Sequence, residues 1–382
     1  MSEWKEVYLK ELITLNYGKS LTESKREFGN VPVYSSAGIT GYHNKPLVNG
    51  KGIIIGRKGS VGTVYKSEIP FFCIDTAYYS SVDDCKADFK YLFYFLKYLR
   101  LDRLNEDSAV PGLNRDMAYS INLSIPTYLP EQKSISAILS SFDDKIENLR
   151  QQNKTLEKIA QTIFKHWFVD FEFPNEQGKP YKSSGGKMVD SELGEIPEGW
   201  RVGSLGEEFK ITMGQSPKGS SYNEIDEGMV FYQGRTDFGL RYPTTRLYTT
   251  EPKRIAEAGD VLVSVRAPVG DINIAYEKCC IGRGLSAVKS QNKSYCFYKI
   301  MSKKRVFDLF EQEGSVFGSL NKDSFNNIES IIPQKEIIIK FERIVNPIDR
   351  KFLNNENNVR FLTKTRDTLL PKLMSGEVRV KL

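Results

Sequence analysis

The chain of 382 residues repeats itself, and the repeat restricts its fold more than any other feature. Trp4-Lys-Glu-Val-Tyr-Leu9-Lys-Glu11, followed by Gly18-Lys-Ser20, returns as Trp200-Arg-Val-Gly-Ser-Leu205-Gly-Glu207, followed by Gly214-Gln-Ser216. Leu113-Asn-Arg-Asp116, ending at Ile125-Pro126, returns as Leu320-Asn-Lys-Asp323, ending at Ile332-Pro333. Between these markers, Gly52-Ile-Ile-Ile-Gly-Arg-Lys-Gly-Ser-Val-Gly62 matches Gly259-Asp-Val-Leu-Val-Ser-Val-Arg-Ala-Pro-Val-Gly270. The offset drifts along the chain, so insertions lie inside otherwise similar units. Two similar units in tandem predict a pseudo-twofold molecule.

A helical stretch follows each Ile-Pro. In the first, Ile135, Phe142, Leu149, Leu156 and Ile163 fall seven apart, and so do Leu139, Ile146, Asn153, Ala160 and Trp167. The second carries the same grid: Phe341, Ile348, Asn355, Leu362 and Leu369, with Val345, Phe352, Val359, Arg366 and Leu373. Two heptad seams of equal length and register predict an antiparallel coiled coil. Polar Asn153 and Asn355 on the seams would set register. Pro347 is expected to kink or interrupt the second helix. Between Gly turns stand short β-branched runs, Val31–Tyr34, Ile53–Ile55, Val261–Val265 and Ile272–Ile274, which read as strands. Asp88 to Leu104 reads as a helix, and the Pro-, Gly-, Ser- and Lys-rich stretch 173–198 as a loop or linker.

Composition removes several function classes. No apolar run is long enough to span a membrane, and the opening residues MSEWKEVYLKEL lack a secretory h-region. Five cysteines without a CxxC pair predict reduced thiols and a cytoplasmic setting. Only two histidines, His43 and His166, disfavour a His-rich metal site. A net charge of +6 permits an anionic partner without requiring one. Gly56-Arg-Lys-Gly-Ser-Val-Gly62-Thr63 lacks the Gly-Lys-Ser/Thr ending of a phosphate loop. Asp237 with Glu251 and Lys253 has the loose pattern of a nuclease, a short pattern that arises by chance. Asn346-Pro-Ile-Asp349 has the outline of an adenine methyltransferase motif, but lies on the heptad grid without an aromatic for a flipped base. No GxSxG, HExxH or zinc-spaced cluster is present. These absences point to a binding or scaffolding protein; a stand-alone nuclease or methyltransferase is the alternative.

Three longer segments carry a resemblance. Ile163-Phe-Lys-His-Trp-Phe-Val-Asp-Phe171 and Ser191-Glu-Leu-Gly-Glu-Ile-Pro-Glu-Gly-Trp200-Arg-Val resemble the central region of type I restriction-modification specificity subunits. Thr368-Leu-Leu-Pro-Lys-Leu-Met-Ser-Gly-Glu377 resembles that family's distal region. The resemblance implies an α+β fold of two similar mixed α/β target recognition domains joined by two long antiparallel coiled-coil helices. Residues 1–129 and 199–333 would be the recognition domains, 130–172 and 334–382 the helical spacers, and 173–198 the linker. It further implies a non-catalytic subunit whose domains each read half of a split double-stranded DNA site. Two modification subunits would dock on the helices, and restriction subunits would join them. The chain itself would need no cofactor; S-adenosylmethionine, ATP and magnesium would belong to those partners.

Direct readout of bases needs Arg, Lys, Asn, Gln, Ser or Thr on loops that enter a groove. In the first unit Ser35, Ser36 and Tyr42, with Arg57 and Lys58, are the candidates. In the second they are Gln233 and Arg235, with Arg266 and Arg283. Arg115 and Lys322 share a repeat position beside Asn114 and Asn321. A shared position suits phosphate contact or folding better than the reading of different bases. Trp4, Trp200 and Trp167 are expected to pack.

Overall fold

The computed structural model describes residues 3–105, 112–312 and 319–381. It divides into two compact units, Met1–Arg150 with Glu356–Leu382, and Gln151–Asn355. The dividing points fall inside two 40-residue helices, Leu129–Phe168 and Lys335–Met374, so each unit owns part of both.

In the first unit, Asn16–Tyr17, Ala77–Ser81, Gly52–Gly56 and Val64–Ser67 form a four-stranded antiparallel sheet in that order. Ile53 and Ile55 on the central strand reach the main core, while Ile54 faces a smaller cluster with Phe71 and Tyr34. That alternation is the period-two signature of a strand buried on both faces. A second sheet pairs Val31–Ser35 antiparallel with Gly38–His43 and parallel with Phe72–Cys73. Helix Phe89–Tyr98 covers the core with Tyr91, Leu92 and Phe95, its start capped where Asp88 Oδ1 accepts the Tyr91 N–H at 2.9 Å. The helix is shorter than the sequence predicts. It ends at Tyr98, Arg100 turns left-handed at φ 49°, and a 3-10 turn Leu101–Asn105 follows. The backbone of Leu101 and Asp102 lies against Gly62, where a Cβ would come within 2.1 Å of it.

The second unit repeats this plan. Lys210–Met213, Leu285–Lys289, Val261–Ser264 and Ile272–Ile274 form the matching sheet in the matching order. Met229–Tyr232 pairs parallel with Cys279–Ile281, as Val31–Ser35 does with Phe72–Cys73. Helix Lys293–Ser302 stands where Phe89–Tyr98 stands in the first unit. The backbone bonds agree: Gly62 N–H donates to Gly56 O at 2.9 Å and Gly270 N–H to Ser264 O at 2.9 Å. Segment 173–198, expected as a loop or linker, carries a short antiparallel strand pair, Met188–Val189 with Ile196–Pro197, and is no free tether. Phe173 stacks on Trp200 at 5.2 Å and on Tyr181 at 4.6 Å, and Ile196 is buried in the same core.

The long helices run antiparallel within each unit. In the first, Ile146 and Leu149 pack with Val359 and Leu362, while Arg366 pairs with Asp143 at 2.5 Å and Arg379 with Glu131 at 2.7 Å. In the second, Ala160, Phe164 and Trp167 join Phe341 and Val345 in the core. Phe164 replaces the expected Ile163 as the buried residue, because a 3.6-residue helix drifts from a strict heptad. Asn355 Nδ2 donates to Asn153 Oδ1 at 3.0 Å, and Asn153 Nδ2 to the Phe352 carbonyl at 3.3 Å. The seam asparagines therefore meet each other. Pro347 does not interrupt its helix, contrary to expectation. It lies on the exposed face, as does Arg343, whose carbonyl loses its intrahelical donor, while the core-side residues Val345 and Ile348 keep the helix packed.

Candidate nucleic-acid interfaces

Strand ends gather the candidate residues onto one loop face in each unit. In the first, the Arg57 and Lys58 N–H groups both donate to the Thr76 carbonyl, at 2.9 and 3.0 Å. Ser36 N–H donates to Thr76 Oγ1 at 3.3 Å, and Leu113 N–H to the Arg57 carbonyl at 2.8 Å. Four segments distant in sequence thus meet at Thr76 and Arg57. In the second, Val265 N–H donates to the Gly284 carbonyl and Leu320 N–H to the Val265 carbonyl, both at 2.9 Å. Lys58 bridges to Gly112 as Arg266 bridges to Ser319. The two faces share this backbone core and differ in side chains and in the loop that joins two of their strands.

On the first face the Tyr17 ring meets two guanidinium groups. Arg57 and Arg115 each stand 5.1 Å from its centroid, with Tyr78 behind Arg57 at 5.9 Å and Tyr119 behind Arg115 at 5.9 Å. A guanidinium held over a ring is restrained before it meets phosphate or guanine, which lowers the entropic cost of contact. Arg115 Nε is buried with no hydrogen-bond partner among the described residues, which leaves its outer N–H groups for such a contact. Tyr78 anchors the stack by donating to the Leu113 carbonyl at 3.0 Å. Burial raises its hydroxyl to about 12, although the two arginines pull the other way, so the ring stays neutral. Lys58 is exposed on the same loop. Ser35 and Ser36 build the turn. Ser35 Oγ donates to the Gly38 carbonyl at 3.2 Å and accepts from Ala37 N–H at 3.1 Å, and Ser36 is buried. Tyr42 is exposed but stands apart, four residues along the strand from Gly38, about 13 Å at roughly 3.3 Å per residue.

On the second face Gln233, Arg235, Arg266 and Arg283 are all exposed on converging loops. Gly282 and Gly284 flank Arg283, and a Cβ on either would come within 2.8 or 3.0 Å of the Gln233 carbonyl. Glycine is therefore required for the two loops to touch. Arg235 Nε pairs with Asp271 Oδ2 at 2.6 Å, which aims its side chain. Arg283 N–H donates to Ser216 Oγ at 3.2 Å. Asp237, the suspected nuclease acid, is buried and occupied: Gln233 N–H donates to it at 3.2 Å and Arg246 pairs with it at 3.3 Å.

The shared position before each helical arm is a cap. Asn114 Oδ1 accepts from the Asp116 and Met117 N–H groups at 2.8 and 3.2 Å, and Asn321 Oδ1 from Ser324 N–H at 2.8 Å. Lys322 follows its cap, exposed to solvent. Tyr17, Tyr78, Asp271 and Arg246 are absent from the sequence reading. Tyr17 directly precedes the repeated Gly18-Lys-Ser20, and Asp271 follows the repeated Gly270, so the repeat itself marked both. Among the described residues, no group of His, Cys, Asp and Glu fit to hold a metal ion is present, and no helix is long and apolar enough to cross a membrane.

Comparison with known proteins agrees with this arrangement. The profile of the type I restriction modification DNA specificity domain matches residues 1–158 and again 197–360. A type I restriction enzyme MjaX specificity subunit of Methanocaldococcus jannaschii is 35% identical over 310 residues, covering 76% of this chain and 68% of its own. The HindI specificity subunit of Haemophilus influenzae is 25% identical over 344 residues, 74% of each chain. In fold, the chain is similar to the crystal structure of a type I S subunit from M. genitalium, with a TM-score of 0.60 at 19% identity, covering 98% and 96% of the two chains.

Proposed function

The chain belongs to the type I restriction-modification DNA specificity family, and on that premise we propose that each domain reads one half of a split double-stranded DNA site. It is a DNA-recognition specificity subunit, a non-catalytic component of a restriction-modification complex. The observation that carries the half-site reading is the loop face built twice on a shared backbone core with different side chains and a different connecting loop. One set is Tyr17, Arg57, Lys58 and Arg115; the other is Gln233, Arg235, Arg266 and Arg283. A common scaffold with exchanged edges suits two different half-sequences. Residues 1–129 and 199–333 act as the recognition domains, and helical regions 130–172 and 334–382 as spacer and docking surface for two modification subunits. Restriction subunits complete the complex, in the cytoplasm where the DNA lies. S-adenosylmethionine, ATP and magnesium serve those partners.

The test is methylation mapping with the chain assembled on its modification subunits. One split site with a fixed gap is expected. Four residues inserted after Asn153, matched near Asn355, lengthen the helices by about 6 Å and are expected to widen the gap by about two base pairs. An unchanged gap with unchanged half-sites defeats the spacer reading. Methyl transfer by the chain alone defeats the non-catalytic one.

A further inference from the structure

The two domains differ most in the connection between two paired strands. In the first, Val31–Ser35 passes to Gly38–His43 through the tight turn Ser36–Ala37. In the second, Met229–Tyr232 reaches its partner Leu247–Thr249 through the long loop 233–246. This loop begins with Gln233 and Arg235 and contains Arg241, whose side chain is 1% exposed.

Burying a guanidinium is costly unless every face is matched. Arg241 is matched. Its Nη1 donates to Asp349 Oδ1 at 2.7 Å, its Nη2 to the Tyr298 hydroxyl, and its Nε lies 3.0 Å from Glu157 Oε2, too bent for a hydrogen bond. Tyr298 OH in turn donates to Asp349 Oδ1 at 3.0 Å. The rings of Phe297 and Phe352 lie 4.4 and 4.5 Å from the guanidinium carbon. Glu157 and Asp349 come from the two long helices, so the loop is tied to both arms within its own unit.

The tie reaches the reading end through a stiff loop. Ile274 N–H donates to the Arg241 carbonyl at 2.8 Å. Asn273 clamps Gly239 in both directions, accepting at 3.1 Å and donating at 3.0 Å. At the mouth, Asp237 takes Gln233 N–H and Arg246, and its carbonyl takes Thr244 N–H at 2.8 Å. The first domain satisfies the equivalent acid differently. Asp143 holds Tyr94 at 2.6 Å, as Asp349 holds Tyr298, but its arginine is Arg366, from the other helix. The acid–tyrosine pair is common to both units, and the arginine from a reading loop belongs to the second.

We propose that Arg241 is a positioning residue for DNA specificity: by locking loop 233–246 onto Glu157 and Asp349, it holds Gln233 and Arg235 in register with the bases of the second half-site. The proposal rests on the half-site reading above. It separates the loop's bases from those met by Arg283 on its own loop.

The test measures base discrimination at every position of the site, with the full chain assembled on its modification subunits. Gln233→Ala and Arg235→Ala first define which bases the loop reads. Arg241→Ala is expected to relax the same bases, by about tenfold each, with the first half-site and the Arg283→Ala positions unchanged. Asp349→Asn, a change on a helix that keeps shape, is expected to relax the same subset more weakly. Arg235→Ala/Arg241→Ala is expected to be no worse at those positions than Arg235→Ala alone, the signature of one coupled unit. Equal relaxation at all second-half bases, or purely additive losses, would assign Arg241 to folding alone and overturn the proposal. So would retained discrimination in both Arg241→Ala and Asp349→Asn, or loop variants that relax no base. Failure of the unmodified complex to select a split site would instead defeat the half-site reading.

Discussion

The first domain buries Leu12 and Phe95 in its main apolar cluster, where the second domain places Glu208 and Lys299 at the matching helix positions. The charged version is fully furnished. Tyr295 OH donates to Glu208, Ser330 Oγ donates to it at 2.8 Å, and Lys299 Nζ donates to the Ile331 carbonyl at 2.6 Å. The ion pair itself is loose, at 4.0 Å. Burial lowers the Lys299 ammonium to about 8 despite the Glu208 carboxylate, so hydrogen bonds hold this cluster more than charge attraction does. In the apolar version the matching Tyr91 hydroxyl is buried without a hydrogen-bond partner among the described residues. One backbone therefore accepts two interiors: a hydrogen-bonded polar network, and an apolar one that tolerates orphans such as the Tyr91 hydroxyl and Trp4 Nε1. The seam repeats the lesson, with Ile146, Leu149 and Val359 in the first unit against Asn153 and Asn355 in the second.

The largest expected effect comes from breaking half of the charged cluster. Glu208→Leu strands the Lys299 charge and is expected to cost the second domain about 3–5 kcal/mol. Glu208→Leu/Lys299→Met imports the first domain's solution and is expected to recover nearly all of it. Denaturant unfolding followed by Trp167 and Trp200, both in the second unit, reads the difference. A double variant as unstable as the single would show that the two interiors are not interchangeable.

Next in size is the asparagine pair. Asn355→Ala leaves the buried Asn153 amide short of a partner and is expected to cost about 1–3 kcal/mol. Asn153→Leu/Asn355→Leu, which copies the apolar seam, is expected to be at least as stable as the native pair, and site mapping should find a looser gap. A gap as strict as before would remove register-setting from these residues.

The helix caps sharpen the comparison by symmetry. Asn114→Ala and Asn321→Ala are each expected to cost about 1 kcal/mol in their own domain. Neither should change the salt dependence of DNA binding; a reduced slope would make the shared position a phosphate contact.

The same buried charge gives the second domain a pH dependence. Lys299 titrates near 8 when folded and near 10.4 when unfolded. Below about 8 both states carry the proton, and the burial penalty is fully present. Between about pH 8 and 10 the unfolded state holds more protons on Lys299, which pushes stability up with pH, while the buried thiols of Cys279, Cys280 and Cys296, raised by burial, push it down. Above that window the buried tyrosines, whose hydroxyls are raised by burial, add to the fall. Lys299→Met removes the upward contribution and should steepen the loss of stability between about pH 8 and 10; an unchanged slope would take this contribution away from Lys299.

Much of this molecule is written in local pattern. The heptad grid marked both long helices and the meeting of Asn153 with Asn355, because side chains four and seven apart share one helix face whatever lies beyond. The β-branched runs marked the strands, and the repeated Leu-Asn-Arg/Lys-Asp marked a position that proved to be a helix cap. Drift in the repeat offset announced an insertion. Pairing the strands located one at loop 233–246, since register is a property of two segments and not of one. Pro347 and the helix beyond Tyr98 went the other way, because packing overrides the local preference of a single residue. Arg57, Arg235, Arg266 and Arg283 were visible as cations on loops. That Arg57 and Arg115 meet the Tyr17 ring, that Asp271 aims Arg235, and that Arg241 turns inward to two helix acids came only from the tertiary structure. Nothing in a linear sequence distinguishes an arginine bound for solvent from one whose desolvation is repaid by Glu157 and Asp349, residues far from it along the chain and brought to it by the antiparallel pairing of the helices.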